Sequence, residues 1–301
     1  MSTALLARTD IAMGTLVTIE LVDANHAGAD AAIERAFGWF HEIETRCTRF
    51  RPTSELMLLA ARPGVDVPVS PILYEAVRFA LLVAEESGGA FDPTMGQRME
   101  ERGFNREHRT GDTIHSARPA ANASFRDVEL DPDRRTITLH RSLTLDLGAV
   151  AKGLAVDAAA KELAPFRDFA INAGGDLYLG GCNARGEPWS VGIRHPRREH
   201  ELIHSVRVSN QAVCTSGDYE RRSPAGVDGH HILDPRTGAS AEAIASATVV
   251  ADGAMLADAL ATAAFVLGPR EGISLLERMG VEGLLVTREM EQFTTGGFFD
   301  V

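Results

Sequence analysis

The stretch from Ser246 to Thr287, SATVVADGAMLADALATAAFVLGPREGISLLERMGVEGLLVT, decides the fold class. Ser246 to Ala251 reads as a strand. Ala254 to Leu267 is almost wholly apolar, runs too long for a single strand and is stopped by Gly268-Pro269, so it reads as a helix. Ile273 to Met279 has the spacing of a further helix, and Gly283 to Thr287 returns to strand. Two helices in succession between strands break the βαβ alternation of a doubly wound sheet. The stretch therefore predicts an α+β fold, with a mixed sheet core and packed helices.

Working outward, the same mixture holds. Ile11 to Val22 alternates as a strand, and Ala27 to Phe50 places Ile33, Phe37, Phe40, Ile43 and Cys47 at three- and four-residue steps, which is a helical stripe. Ser54 to Leu59 and Pro71 to Ser87 are further helices, the second opened by proline and closed by Gly88-Gly89. Gly96 to Ala123 is polar and reads as a surface excursion. Phe125 to Leu130 and Thr136 to His140 flank the turn cluster Asp131-Pro132-Asp133, and Leu143 to Leu147 is a strand candidate. Ala149 to Leu163 is helical. Strand candidates follow at Phe169 to Asn172, Leu177 to Leu179, Trp189 to Arg194 and Ser205 to Val208. No linker or repeat interrupts the chain, so residues 1–301 read as one domain or as two interlocked α/β subdomains.

The chain has 301 residues, with 30 Lys and Arg against 42 Asp and Glu, a formal charge of −12. That balance repels a polyphosphate backbone and argues against general nucleic-acid binding. Charged residues at 24% and hydrophobic ones at 45% match an ordinary globular chain. No apolar run approaches the roughly 18 residues of a membrane span, so no membrane insertion is expected. Met1 to Arg8 carries no export pattern. Cys47, Cys182 and Cys214 lie far apart in an odd number, which suits a reducing compartment, so a cytoplasmic location is expected. The two lysines, Lys152 and Lys161, stand among 28 arginines, which raises the question of why arginine would not serve there.

The GxGxxG fingerprint, the P-loop, HExxH and GxSxG are all missing. What remains is a set of Gly-, Asp- and Thr-rich patches. They are Met13-Gly14-Thr15, Gly88-Gly89-Ala90-Phe91-Asp92-Pro93-Thr94, Asp146-Leu147-Gly148-Ala149-Val150-Ala151-Lys152-Gly153 and Asn172-Ala173-Gly174-Gly175-Asp176. Further along come Thr215-Ser216-Gly217-Asp218-Tyr219, His230-His231-Ile232-Leu233-Asp234-Pro235-Arg236-Thr237-Gly238 and Ala257-Asp258-Ala259-Leu260-Ala261-Thr262. Glycine admits close approach of backbone to a ligand, and Asp, Thr and carbonyl oxygens suit a hard cation such as Mg²⁺. Together they suggest a metal-assisted phosphate-ester site. Asp258 and Thr262, four apart on one helix face, can share a ligand, or they can be a solvated acid and a self-bonded threonine. Lys152 opens a helix after a glycine turn, where phosphate is favoured, whereas Lys161 reads as a solvated helix face.

In order and spacing from Met13 to Leu267, these patches resemble the ApbE family, the FAD:protein FMN transferases. The resemblance implies a single-chain, T-fold-related architecture. It also implies an enzyme that takes FAD as substrate with Mg²⁺, releases AMP and attaches FMN by a phosphoester to a Ser or Thr of an acceptor flavoprotein. The sequence does not separate this from an FAD pyrophosphatase giving FMN and AMP; against a second alternative, a non-catalytic flavin-binding protein, stand the intact Asp258, Thr262 and His231. By resemblance the cation is held by Asp258, Thr262 and the carbonyl of Ala149, and FAD is contacted by Met13, Ala90, Phe91, Asp92, Asp146, Lys152 and Ile244. As sequence features alone Phe91 and Met13 read as core, and a structural cap on Gly148 or Ala149 is the alternative for Asp146. His231 and Asp258 are the catalytic candidates: counting back from Asp234-Pro235 selects His231 over His230, and a histidine suits removal of a hydroxyl proton near neutral pH.

Overall fold

The computed structural model describes residues 5–22, 28–107, 110–115, 120, 122–223 and 229–300. The chain opens with β1 (Leu5–Ala12) and β2 (Thr15–Val22), then α1 (Ala29–Cys47), α2 (Glu55–Ala60), β3 (Val67–Pro68), α3 (Pro71–Glu86) and α4 (Gly96–Glu101). Next come β4 (Val128–Asp131), β5 (Thr136–Leu139), α5 (Gly148–Leu163), β6 (Phe169–Ala173), β7 (Asp176–Gly180), β8 (Trp189–Arg194), β9 (Leu202–Val208) and β10 (Gln211–Gly217). The chain closes with β11 (Ile244–Ala251), α6 (Ala254–Leu267), α7 (Pro269–Arg278), β12 (Glu282–Thr287) and β13 (Gln292–Thr294). This is the expected α+β mixture. It divides into two compact units: the first takes residues 1–42, 152–217 and 243–301, and the second takes residues 43–151 and 218–242.

The first unit is built on an eight-stranded antiparallel sheet in the order β1-β2-β6-β7-β10-β11-β12-β13. All eight residues of β11 are buried, so this strand is covered on both of its faces, with Ser246 and Thr248 as its two polar side chains. Helix α6 lies on β10 and β11, and α7 packs on α6 and β12. Ala254, Ala257, Ala261 and Ala264 recur at three- and four-residue steps and are all buried, so that face of α6 presents little more than methyl groups, while Leu260 and Phe265 are buried elsewhere on the helix. Its start is pinned by α5. A Cβ on Gly153 would stand 2.5 Å from the Ala254 carbonyl oxygen, so only glycine permits that approach. One turn further along α5, Asp157 accepts hydrogen bonds from the backbone N–H groups of Ala254 (2.6 Å) and Met255 (3.0 Å), two of the donors that a helix start leaves unpaired. The β8–β9 ribbon closes a core of Leu179, Ile193, Val206, Val208, Val213, Val250, Leu284, Val286 and Phe298.

The second unit carries the three-stranded sheet β3-β5-β4 with α2, α3 and α4. Ser54 and Ser70 cap α2 and α3 through Met57 N and Leu73 N, and Pro71 supplies the first turn of α3. Leu73, Ala76, Val77, Ala80, Val83 and Ala84 form the buried stripe of α3, and Gly88 and Gly89 (φ 63° and 85°) end it.

Several local expectations change. Ile11 to Val22 is not one strand. Met13 and Gly14, both at positive φ (52° and 76°), make a two-residue hairpin turn that folds β1 back on β2. Leu143 to Leu147 makes only a single bridge, Thr144 to Met95, because it runs isolated from a sheet. Phe125 to Asp127 is a 3-10 turn capped by Ser124 rather than the start of a strand. Helix α4 lies within the supposed polar excursion, of which residues 108–109, 116–119 and 121 fall outside the described part, as does residue 27 at the expected start of α1. Residues 1–4 of the start examined for export also lie outside it. The Thr215-Ser216-Gly217 patch is the end of strand β10, since its alternation was hidden by small polar residues.

Candidate functional site

In the first unit, the side chains of one lysine and two aspartates converge. Lys152, in the second turn of α5, directs its Nζ to Oδ2 of Asp176 and lies 3.5 Å from Oδ2 of Asp258. Asp176 is the first residue of β7, set there by the Gly174-Gly175 turn from β6, whose glycines have φ 65° and 99°. A Cβ on Gly174 would fall 2.2 Å from Thr15 Oγ1, so this turn abuts the start of β2, next to the Met13-Gly14 turn. Asp258 sits in the second turn of α6 and is 7% exposed, and Asp176 is 2% exposed. Oδ2 of each carboxylate is sealed from water with no hydrogen bond beyond its pairing with Lys152. Thr262, half-buried one turn after Asp258, shares a hydrogen bond of 3.1 Å with Ser216 Oγ of β10. Buried Cys214, on the same strand, has its thiol pKa pushed well up, by burial first and by the Asp258 charge second.

Met13 is half-buried in the left-handed region, a conformation uncommon for a residue with a long side chain. Ile244 is fully buried at the start of β11, beside a bulge in its pairing with β12. Asp258, Thr262, Lys152, Met13 and Ile244 all belong to this first unit. Ala149 lies three residues before Lys152 in α5.

In the second unit, Asp146 accepts hydrogen bonds from Arg49 Nε (2.7 Å) and from Gly148 N (2.8 Å). Burial alone would raise its pKa, but the Arg49 guanidinium and the Gly148 N–H outweigh that and lower it, so the carboxylate stays ionised. The structural alternative for Asp146, a cap on Gly148, is thus realised. Arg49 is 5% exposed, approaches Glu100 at 3.8 Å and stacks on Phe50 at 4.3 Å. Among 28 arginines nothing in the sequence marks it beyond its place near the end of the Ala27 to Phe50 helical stretch. Asp92 accepts from Thr94 N (2.8 Å) and Oγ1 (2.7 Å), and burial raises its pKa. Ala90 and Phe91 are buried, so their side chains serve the core of this unit.

The two adjacent histidines separate cleanly. His230 is 2% exposed, donates from Nε2 to Ala241 O (2.8 Å) and accepts at Nδ1 from Ile232 N (3.3 Å), so both ring nitrogens are engaged in the loop's own backbone. His231 is half-buried, edge-on to Phe104 at 6.4 Å, with Nδ1 3.4 Å from Arg221 O. A proton on Nδ1 bonded to that carbonyl leaves Nε2 with its lone pair. Burial, helped by the Arg221 charge, lowers the His231 pKa from 6.5 to about 4. The imidazole is therefore neutral at physiological pH.

A sequence model of the ApbE family matches residues 13–285. The FAD:protein FMN transferase of Treponema pallidum is 33% identical over 98% of this chain and 88% of its own length. The protein of the same name from Rhodobacter capsulatus is 31% identical over 94% of this chain and 55% of its own length. Among solved structures, the ApbE protein of Thermotoga maritima superposes with a TM-score of 0.87 at 29% identity, covering 98% of each chain. With a family match across most of its length and a relative this similar over nearly all of it, the chain belongs to the ApbE family.

Proposed function

We propose that this protein is an FAD:protein FMN transferase that requires Mg²⁺, releases AMP and links FMN through a phosphoester to a Ser or Thr hydroxyl of an acceptor flavoprotein. The observation that carries the reading is the grouping of buried Asp258 with half-buried Thr262 and Lys152 in a chain of this family. The donor set suits Mg²⁺: a sealed oxygen of Asp258 lacks any hydrogen-bond partner beyond the Lys152 ammonium, the Thr262 hydroxyl lies one turn away, and both are hard oxygen ligands. Asp258 and Thr262 would hold the ion, with the Ala149 carbonyl added by the family resemblance, and the ion would supply charge neutralisation at the pyrophosphate.

The chain's own residues do the rest. Lys152 offers an ammonium to phosphate oxygens as a point charge. Neutral His231 can accept the acceptor hydroxyl's proton at Nε2 while Arg221 O holds the ring in that tautomer. Asp146, kept ionised by Arg49, orders the turn into α5 and can take hydrogen bonds from the flavin nucleotide. Met13, Ala90, Phe91, Asp92 and Ile244 complete the FAD contacts that the resemblance implies. A reducing compartment, the cytoplasm, fits three free cysteines.

The test is to incubate purified protein with FAD, Mg²⁺ and a candidate acceptor, then follow AMP and the acceptor's mass. An acceptor mass gain equal to FMN phosphoester, with equimolar AMP, is expected. AMP and free FMN without acceptor labelling would replace transfer by hydrolysis, and no AMP in any condition would overturn both.

A further inference from the structure

We infer that Asp176 is a positioning residue for the cation site: it holds the Lys152 ammonium aside so that the oxygens of Asp258 are open to Mg²⁺. This rests on the reading of Asp258 and Thr262 given above. The side chains of Asp176 and Asp258 both face that of Lys152 in a nearly closed space. Lys152 can neutralise either acid, but an ammonium seated on Asp258 competes with a divalent cation for the same oxygens. In the structure Nζ pairs directly with Asp176 and stands 3.5 Å from Asp258. Asp176 is fixed for that task. Its backbone is the last rung of the β6–β7 hairpin, paired with Ala173, and its side chain is 3% exposed. Without Lys152 its Oδ2 would be a buried charge with no donor, an arrangement costly enough to need a partner. The ammonium is thereby held beside the cation's place, ready for phosphate, without occupying it.

The effect is a coupling through Lys152, so it is measured by a double-mutant cycle. Mn²⁺ binding to the flavin-free protein, read by the loss of the free-ion electron paramagnetic resonance signal, is the probe. Asp176→Asn should weaken Mn²⁺ binding about tenfold, within the usual span of such couplings. In a Lys152→Met background, the same substitution should change it little. Equal weakening in both backgrounds would show Asp176 acting on the cation directly, and no weakening in either would show no role; each overturns the inference. Should Asp176→Asn fail to fold, Asp176→Ser takes its place in the same cycle: weakening that vanishes in the Lys152→Met background supports the inference, and equal weakening in both backgrounds, or none in either, overturns it. Asp258→Asn separates the two readings: if it leaves Mn²⁺ binding intact, the cation site itself is wrong, whatever Asp176 does.

Discussion

Asp258 shows at a single residue why a polar group on an apolar helix invites a functional reading. Thirteen of the fourteen positions of α6 are apolar or small hydroxyl residues, and the remaining one is a carboxylate at 7% exposure. A charge so placed is tolerated only when an opposite charge meets it, and Lys152 does so. Asp258→Asn keeps the shape and removes the charge; AMP release should fall by at least about 10²-fold, the scale of losing one electrostatic contact, with FAD binding little changed. Undiminished turnover in EDTA would rule out the metal role. His231 gives a second test. His231→Ala should slow transfer by about 10²- to 10⁴-fold, as for loss of a general base, and His230→Ala should act through stability instead. Because the folded-state pKa of His231 lies near 4, below its ordinary 6.5, the unfolded chain binds the extra proton first. The contribution to stability is complete above about pH 6.5 and is lost as pH falls towards 4. Thermal melts should therefore show wild type losing ground to His231→Gln across that window, and parallel curves would contradict the shifted pKa.

The junction of α5 and α6 is where element-scale packing serves the candidate site. Asp157→Ala removes the carboxylate that accepts from two backbone N–H groups at the start of α6, one turn before Asp258, and should cost about 1–2 kcal/mol in denaturant unfolding, the range of a lost helix cap. Gly153→Ala would push a methyl into the Ala254 carbonyl and should destabilise by about 1–3 kcal/mol, as overpacking does. An unchanged midpoint in either variant would mean that the junction yields easily. These contacts were invisible in the sequence, although the elements were not. Helix α6 was legible because its composition leaves no solvent face, and α3 because Ser70, Pro71 and Gly88-Gly89 punctuate it. The β1–β2 hairpin was not, because its turn is Met13-Gly14 rather than Asn-Gly, and a methionine at positive φ has no sequence signature. Strand β10 was hidden for another reason: Thr215 and Ser216 look like loop chemistry but face Thr248 and Thr262.

At the scale of the molecule, the Gly- and Asp-rich patches were legible as a set, and the charges that organise them were legible only in part. Lys152 stood out through the scarcity of lysine, whereas Arg49 was lost among the arginines and Asp176 was read only as the end of a glycine turn. The three cysteines offer a test of the whole packing. Cys47 and Cys214 are buried, and burial pushes the Cys47 thiol up to about 12 and raises that of Cys214 as well. One thiol, that of half-buried Cys182, should react with Ellman's reagent in native protein, and all three in denaturant. Rapid reaction of three in native buffer would contradict the packing.

The pairing of β2 with β6 sets a timetable for the nascent chain. Val17 bonds alongside Ala173, about 150 residues later, and the fully buried β11 begins only at Ile244. A ribosome adding roughly 5–20 residues per second leaves the first hairpin without its neighbour for on the order of ten to thirty seconds. Throughout that wait β2 exposes an open edge, while β1, on its other side, carries exposed Leu5 and Ile11 alongside Arg8 and Asp10. Charges at Arg8 and Asp10 guard the β1 edge, which stays at the rim of the finished sheet, so during the wait it is the β2 edge that lies open to the hairpin of a neighbouring nascent chain.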